Sequence, residues 1–495
     1  MNKRYIITMS LLLLVSIMLA LVSCSGGADN TAASTDTTVD TAVSETLPAE
    51  TELSDNLPDT KFNGEELTML IRSEFLYEFD VEGLTGDIVS DSVYTRNRDI
   101  EERFDIRINI VDVTGSWSTQ AQFLDTLSSS VMAADGAFSL VASAANYMLP
   151  TISNGYFMDL YAIPYIDLEK PWWSQGYVEN MTIDGSLYLA TGSASINFLD
   201  NMCVMFFNKG MVESYDLDNP YDLVNNGNWT FDRLMEMSSA VTGDINGDGE
   251  IKVEDRIGHF TYGNMLIALT QSFNLDFSKR GDDGYPYITY MTDRMASAFD
   301  KMTEFYNSDD MLVYTNPGDT LSLAASMQNI FSEGNKLIMS QVLSSASVMR
   351  DMETDFGIIP MPKYDDTQDR YYTCVMENLT VLGIPTSAEN PELSGILAEA
   401  LAAEGYKEVT PAYFDIALQG KYSRDNESAE MLELIRDSAW FDFAYLNSVS
   451  LGSINHLFNN QMYSGGSLAS AFEAQKSQFD SKMAVLLDGY KSLKK

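Results

Sequence analysis

The sequence predicts an α/β protein built of two lobes. Strand and helix signals alternate along the chain after residue 60, and hydrophobic residues make up 45% of its 495 residues. Alternation of this kind is typical of a parallel sheet flanked by helices. The stretch that carries it is about 435 residues long, which is too long for one hydrophobic core. We therefore expect two lobes or domains, each packed around its own sheet.

The first 24 residues predict the compartment. The short basic start MNKRY precedes an apolar run from Ile6 to Val22, and the LVSC that ends at Cys24 resembles the lipobox of bacterial lipoproteins. The alternative is an ordinary transmembrane anchor, because the apolar run is nearly long enough to cross a bilayer. The cysteine and the SGGADN that follows it favour a lipoprotein signal peptide over residues 1–24. Lipidation of Cys24 would hold the chain on the extracellular face of the cell membrane.

Composition predicts a tether and excludes some partners. Residues 25–60 carry Thr, Ala, Ser, Asp and Glu with hardly an aromatic or basic residue, so they cannot form a core and should be disordered. The chain has 30 basic and 72 acidic residues, a formal net charge of −42. A surface this negative repels nucleic-acid phosphate and anionic lipid headgroups. It also disfavours strongly anionic ligands, unless a local cationic pocket overrides it.

The segment 67–145 predicts the first sheet. Its strands are LTMLIR (67–72), DIRINIVDV (105–113) and FSLVASAA (138–145), and its helices are SDSVYTRNRDIEERF (90–104) and the segment from Gln120 to Met132. In such sheets ligands bind beyond the carboxyl ends of the strands. The candidate ligand-binding residues after the first and third strands are Ser73, Glu74, Ser143, Asn146 and Tyr147.

A stretch near the middle of the chain, DINGDGEIKVED (244–255), matches the calcium-loop pattern D-x-[DN]-x-[DN]-G. Calcium is a hard cation that takes oxygen ligands, and Gly249 lies at the sixth position, where such a loop turns sharply. The alternative is an acidic, glycine-rich surface turn. A helix precedes the loop, but a strand follows it, so we expect a structural Ca²⁺ ion and no switch. The predicted ligands are Asp244, Asn246, Asp248, the backbone carbonyl of Glu250, and Asp255.

The chain also resembles a known family. CVMFFNKGMVESYDLDNPYDLVNNGNWTFDRLMEMSSAVTGDINGDGEI (203–251) is similar to the family 1 extracellular solute-binding proteins of bacterial ABC importers. FSEGNKLIM (331–339), FGIIPMPKYDD (356–366) and LTVLGIPTSAENPE (379–392) agree with that family in the same order. The resemblance implies two α/β lobes joined by a hinge. The first would hold residues 61–202 and 356–410, and the second residues 203–355 and 411–495.

The resemblance further implies a function. Members of the family capture a small solute between their lobes and deliver it to the permease subunits of an importer, and many take up sugars or oligosaccharides. We therefore expect a monomeric receptor for a neutral sugar or oligosaccharide. A sugar ring offers an apolar face to aromatic rings and hydroxyls to planar polar groups. Trp172 and Trp173 in PWWSQGY, and Trp440 in DSAWFDF, are the further candidates.

Two other classes of function stay open at this point: a secreted carbohydrate-active enzyme and a calcium-dependent cell-surface binding module. The sequence predicts no enzyme. Adjacent acids such as Glu101 and Glu102 do not face each other across a substrate, His259 and His456 are too far apart for a metal motif, and no G-x-S-x-G is present. Cell-surface modules of the second class need two calcium loops, and this chain has one.

The cysteines other than Cys24 say little about function. Cys203 and Cys374 are predicted to lie in strands as buried thiols. The lobe layout implied by the resemblance places them near each other, and a disulfide between them stays open.

Overall fold

The computed structural model of the protein describes residues 53–315, 320–349, 353, 355–418 and 426–494. Within these ranges no helix is both long and apolar enough to span a bilayer. The predicted signal peptide, Cys24 and most of the predicted tether lie outside the described residues. The chain from Asp55 onward forms one unit by its internal contacts.

The strands of the described residues fall into two main sheets and two small ones. In chain order they are β1 (Glu65–Arg72), β2 (Ile106–Val113), β3 (Leu140–Ala144), β4 (Cys203–Asn208), β5 (Ile257–Thr261), β6 (Ser278–Arg280), β7 (Pro286–Ile288), β8 (Met311–Val313), β9 (Lys336–Val342), β10 (Phe356–Pro360), β11 (Thr373–Cys374), β12 (Thr380–Gly383) and β13 (Ala439–Trp440).

Helices cover most of the remaining described chain. The α-helices are Ile88–Phe104, Gln120–Ala133, Ala145–Met148, Gln175–Met181, Ile196–Asp200, Lys209–Ser214, Pro220–Asn225, Phe231–Val241, Gly263–Ser272, Asp293–Tyr306, Thr320–Ser332, Ser345–Met349, Pro391–Glu404, Thr410–Leu418, Asn426–Asp437, Phe443–Leu446, Ser448–Leu451, Leu457–Ser464 and Leu468–Ser492. Short 3-10 helices are Ser73–Glu78, Leu149–Asn154, Leu160–Ala162 and Ile454–His456, and Gly405–Val409 is a π-helix.

The first sheet has the strand order β12-β3-β1-β2. β1 is parallel to β2 and to β3, while β12 is antiparallel to β3. The helix Ile88–Phe104 connects β1 to β2. Asp87 caps it by accepting the Ser90 N–H, and its buried face includes Val93, Ile100 and Phe104. The alternation of strands and helices predicted from the sequence is therefore confirmed in this sheet.

The second sheet has the order β10-β4-β9-β5-β8. β4 is antiparallel to both of its neighbours, and β9, β5 and β8 run parallel to one another. The helix Phe231–Val241 packs on β5, and the loop 244–255 lies between them in sequence. With two sheets flanked by helices, the α/β fold class is confirmed.

One boundary predicted from the sequence is wrong. We expected residues from Phe356 onward to belong to the first lobe, but Phe356–Pro360 pairs with β4 from Asn208 to Val204 and lies in the second sheet. Every residue of the strand FGIIP is buried. A continuous apolar pattern of this kind is compatible with either sheet, so it does not indicate which sheet the strand joins. The chain returns to the first sheet only between Pro360 and Thr380. The other lobe bounds remain predictions.

Candidate functional site

The carboxyl ends of β1, β2 and β3 meet at one edge of the first sheet. The segments that follow them are Ser73–Glu78, residues 114–117 and the helix Ala145–Met148. Trp117, in the segment after β2, has 66% of its surface exposed, whereas the other tryptophans, all within the described ranges, are buried or partly buried. Ligands of such sheets bind beyond the carboxyl ends of the strands, so the open ring makes Trp117 a candidate contact residue.

Ser73 and Glu74 hold the end of β2 and the segment that carries Trp117. The Glu74 carboxylate accepts the Gly115 N–H at 2.9 Å and the Ser116 N–H at 3.0 Å. The Ser73 hydroxyl donates to Asp112 Oδ2 at 2.7 Å. Both predicted residues are therefore at the expected edge, and they orient the neighbouring loop.

Ser143 and Tyr147 contact the same loop, residues 114–117, from the interior of the protein. The buried Tyr147 hydroxyl donates to the Gly115 carbonyl at 2.9 Å, and it is also hydrogen-bonded to the Ser143 hydroxyl. A Cβ at Gly115 would lie 2.7 Å from the Tyr147 hydroxyl and 2.9 Å from Arg72 Cβ. Only glycine allows the loop to approach this closely.

A buried charged cluster makes this edge rigid. The Arg72 guanidinium donates to Asn197 Oδ1, the Asn378 carbonyl and Thr380 Oγ1 at 2.9–3.0 Å. The fully buried Glu78 carboxylate accepts the Thr380 hydroxyl at 2.7 Å. Burial raises the pKa of Glu78 and lowers the pKa of Arg72, and their mutual attraction opposes both shifts. Such a cluster fixes geometry because breaking it would leave a buried charge unpaired.

Asn146 begins a row of polar side chains that runs from the first sheet to the second. Its N–H donates to the Glu377 carbonyl at 3.0 Å. Its side-chain Oδ1 is buried and has no hydrogen-bond partner among the described residues. The Glu377 carboxylate accepts Asn455 Nδ2 at 3.2 Å. Burial raises the pKa of Glu377 to about 6, while the hydrogen bond from Asn455 acts in the opposite direction.

The row continues through Asn459, which lies about one helical turn beyond Asn455. Asn459 Nδ2 donates to the carbonyl of Gly263, just after the carboxyl end of β5, at 2.7 Å. Its Oδ1 is also buried without a partner in the described part of the chain. Tyr463, 44% exposed, has its hydroxyl 3.1 Å from the position of a Cβ on Gly263. We call Asn146, Glu377, Asn455 and Asn459 the polar row.

The polar row and Trp117 together suit a polyhydroxylated ligand. Buried amide oxygens without partners are uncommon in folded proteins and are satisfied when a donor reaches them. Ligand hydroxyls are such donors, and an exposed indole ring accepts the apolar face of a sugar ring. Asn146 follows β3, and Asn459 contacts the Gly263 carbonyl just after β5, so the row includes residues near the carboxyl ends of strands from both sheets.

Trp172 and Trp173 do not have the open ring faces that we expected. They are 1% and 2% exposed. Their indole N–H groups donate to the two carboxylate oxygens of Glu399, each at 2.9 Å. Burial raises the pKa of that carboxyl to about 7, and the two indole donors act against the shift. The two tryptophans are therefore buried core residues that hydrogen-bond to the helix Pro391–Glu404.

Trp440 is also covered. Its indole N–H donates to Asp276 Oδ1 at 3.2 Å, the Tyr372 ring packs edge-on at 5.4 Å, and the Arg370 guanidinium lies 5.2 Å from its ring centroid. It stands in β13 rather than at the carboxyl edge that carries Trp117.

The loop 244–255 is folded through its own hydrogen bonds. Asp244 Oδ2 accepts the Gly249 N–H at 2.8 Å, and Gly249 has a φ of 89°, as the sharp turn requires. The Lys252 ammonium pairs with Asp248 and Glu250 at 3.0 and 2.6 Å. Within the described ranges no three His, Cys, Asp or Glu side chains are grouped as a metal site would need.

The other two predicted loop ligands also hold the backbone. Asn246 Oδ1 accepts the Asp248 N–H at 2.8 Å. Asp255 is fully buried and accepts the N–H groups of Ile245 and Lys252 at 3.1 and 2.9 Å.

Sequence reasoning missed Trp117 and most of the polar row. Trp117 could have been found, because it follows the second predicted strand as Ser73 follows the first, and the same carboxyl-end rule applies to it. Glu377, Asn455 and Asn459 gave no such signal. They lie in segments far apart in sequence, and only the packing of the two sheets brings them into one row.

The comparisons with known proteins agree with this architecture. No protein-family model and no curated protein matches the sequence. Solved structures do match. A sugar transporter from Rhizobium etli in an open conformation is 12% identical with a TM-score of 0.58, and covers 85% of this chain and 99% of its own.

Two further structures are equally similar. The cyclic alpha-maltosyl-1,6-maltose binding protein of Arthrobacter globiformis is 14% identical with a TM-score of 0.57, over 85% of this chain and 99% of that one. A cyclo/maltodextrin-binding protein complexed with maltotetraose is 13% identical with a TM-score of 0.56, over 85% and 97%. At these identities the likeness establishes the fold alone: this chain has the two-lobed α/β fold of these solved structures.

Proposed function

We propose that this chain is the substrate-binding component of an ABC importer, and that it captures a neutral sugar or oligosaccharide between its two sheets. The observation that carries the proposal is Trp117, whose ring is open at the carboxyl ends of the first sheet. A sugar stacks its C–H face on such a ring. Similar structures include proteins that bind maltotetraose and alpha-D-tagatose.

The polar row supplies the hydroxyl contacts in this proposal. Asn146 and Asn459 each carry a buried amide oxygen without a partner in the described chain. In this proposal a polyol lies between the two sheets and its hydroxyls donate to these oxygens. The ligand would therefore favour the closed arrangement of the lobes, because each additional contact stabilises that state relative to the open one.

The acidic side chains near the carboxyl edge of the first sheet favour a neutral ligand over an anionic one. Glu74 and Glu377 lie at or near the carboxyl ends, and the partly buried Asp200 accepts the Tyr77 and Tyr413 hydroxyls at 2.6 and 2.7 Å. A chain of net charge −42 adds a long-range repulsion of anions. Uronic acids and sugar phosphates should bind far more weakly than neutral sugars of the same size.

Binding without turnover is the expected chemistry. The similar solved structures include a cyclo/maltodextrin-binding protein and a solute-binding protein bound with alpha-D-tagatose. Both carboxylate oxygens of Glu74 accept backbone N–H groups, which suits a residue that orients a loop. General acid catalysis needs a carboxyl poised against the leaving group.

The experiment is calorimetry of the purified chain against neutral malto-oligosaccharides of two to seven units and matched oligouronides, with chromatography of each mixture after incubation. We expect saturable binding of a neutral sugar, contraction of the protein in solution scattering, and recovery of the sugar unchanged. Appearance of shortened sugars would favour an enzyme. Absence of binding across the neutral panel would contradict the sugar proposal.

The proposed location follows from Cys24, which lies outside the described residues. We propose lipidation of that cysteine, a monomeric body on the extracellular face of the membrane, and contact with the permease subunits from there. Expression with a labelled fatty acid tests this directly. Label should enter the wild-type chain and not a Cys24→Ser variant.

We also propose that the loop 244–255 binds a structural Ca²⁺ ion. Its five matching positions and the turn at Gly249 support this. The ion would have to displace the Lys252 ammonium from Asp248. Chelator should lower the melting temperature of the wild-type chain and leave Asp244→Ala unaffected. A melting temperature that is insensitive to both calcium and chelator would remove the ion from the proposal.

A further inference from the structure

The two segments that carry the chain between the sheets run side by side. Residues 201–203 lead into β4 of the second sheet, and residues 374–376 lead from β11, in the small sheet it forms with β13, towards β12 of the first sheet. Met202 and Val375 form an antiparallel bridge, and the Met376 N–H donates to the Asn201 carbonyl at 3.0 Å. These crossing segments are the part of the fold about which two lobes would move.

Cys203 and Cys374 lie directly opposite each other, one residue along from that bridge. Opposed residues of antiparallel strands have Cα atoms about 4.5–5.5 Å apart, which is within the span of a disulfide. The Cys203 thiol donates to the Asn201 carbonyl at 3.9 Å, and the Cys374 thiol donates to the Val375 carbonyl at 3.8 Å. Both thiols are buried and free in this structure, so neither sulfur is already committed to another covalent bond.

We propose that Cys203 and Cys374 are a disulfide-forming pair that fastens the two crossing segments to each other. The oxidant is a small-molecule or protein disulfide. One cysteine thiolate attacks it and forms a mixed disulfide while the first reduced thiol leaves. The second cysteine then loses its proton and attacks the mixed disulfide, which forms the Cys203–Cys374 bond and releases the second reduced thiol. Two electrons and two protons pass to the oxidant.

Burial determines when the reaction takes place. It raises the pKa of the Cys203 thiol well above its usual range, so little thiolate is present in the folded protein. Small oxidants also reach buried sulfurs poorly. The bond therefore forms during folding, or during rare opening of the crossing segments, and is slow to reduce once the protein has folded.

The bond would close residues 203–374, from β4 to β11, into one covalent loop. Closing a loop that long restricts the unfolded chain strongly, so the oxidised form should be the more stable one. The crossing segments are already paired through the backbone in this structure. The bond therefore preserves the geometry around the polar row.

The test uses the full chain, unfolded and refolded with either oxidised glutathione or dithiothreitol, then alkylated under denaturing conditions and mapped by mass spectrometry. We expect one crosslinked peptide containing Cys203 and Cys374 after oxidative refolding, two alkylated peptides after reductive refolding, and a melting temperature higher by about 5 °C or more in the oxidised form. The Cys203→Ser and Cys374→Ser variants should lose the redox dependence of melting.

Alkylation of both cysteines after oxidative refolding would overturn the proposal, as would crosslinking of either one to Cys24. A crosslink that leaves melting unchanged would contradict its stabilising role. Peptide mapping of the wild-type chain needs no variant to fold and no sugar to bind. Its outcome is therefore independent of the ligand proposal.

Discussion

Replacement of Trp117 by alanine tests the sugar proposal most directly. A tryptophan side chain presents about 250 Å², so its 66% exposure leaves roughly 165 Å² open to a ligand. A stacked sugar covers one ring face, about half of that, or roughly 80 Å². At about 25 cal/mol per Å² the lost contact is worth about 2 kcal/mol, which is roughly a thirtyfold rise in Kd.

The assay is calorimetric titration of the wild-type chain and the variant with the tightest neutral oligosaccharide of the panel. Trp117→Phe keeps a ring and should lose far less affinity. Tyr161→Ala is the matched control, because Tyr161 is 49% exposed but lies in the 3-10 helix Leu160–Ala162, away from the carboxyl ends. Unfolding by denaturant should be almost unchanged in all three variants, since each altered side chain is substantially exposed.

The result that would refute the reasoning is a Trp117→Ala variant whose Kd stays within about twofold of the wild type. A sugar would then bind elsewhere in the molecule. The exposed ring at the first sheet would have to be explained by contact with a protein partner. Equal losses in Trp117→Ala and Tyr161→Ala would point instead to a general effect of removing surface aromatic rings.

Three other predictions concern stability. Trp172→Phe leaves a Glu399 carboxylate oxygen without its indole donor, so it should lower the free energy of unfolding by about 1–3 kcal/mol. The loss should be larger above neutral pH than below it, because the pKa of that carboxyl rises further when the donor is removed. Denaturation above and below neutral pH measures both losses, and equal losses would contradict the prediction. The pKa of Glu377 is about 6 in the folded state against an ordinary 4.5, so the folded state holds the proton more tightly than the unfolded state. The contribution of this group to stability therefore falls as pH rises from about 4.5 to 6. Glu377→Gln should make the free energy of unfolding depend less on pH in this range, and an unchanged pH dependence would mean that other groups cause it. Gly115→Ala should lower both the melting temperature and sugar affinity, because a Cβ would lie 2.7 Å from a tyrosine hydroxyl; wild-type affinity and melting would show that the loop can shift at no cost.

Much of the fold could be predicted from local pattern alone. β1, β2 and β3 and the two helices between them agree with the predicted segments to within a few residues, because periodicity and capping act over short stretches of chain. The carboxyl-end rule likewise led to Glu74 and Tyr147. Both residues lie at the carboxyl edge of the first sheet as expected, and their side chains hold the loop that carries Trp117; that a ligand binds there stays a prediction.

The failures share one physical cause. Trp172 and Trp173 were chosen because aromatic rings bind sugars, but whether a ring is open depends on tertiary packing; here both rings are buried, and their N–H groups bind Glu399, more than 200 residues later in the chain. Phe356–Pro360 was assigned to the wrong sheet because an apolar strand carries no mark of its partner.

The sequence by itself determined the alternation of strands and helices, the acidic charge, the single calcium-type loop and the edge of the first sheet at which to look for a ligand. Only the tertiary structure decided which aromatic ring stays open and which amides share the polar row. It also placed the two internal cysteines opposite each other. Local patterns depend on neighbours within a few residues, whereas burial and side-chain partners depend on segments that meet only when the chain packs.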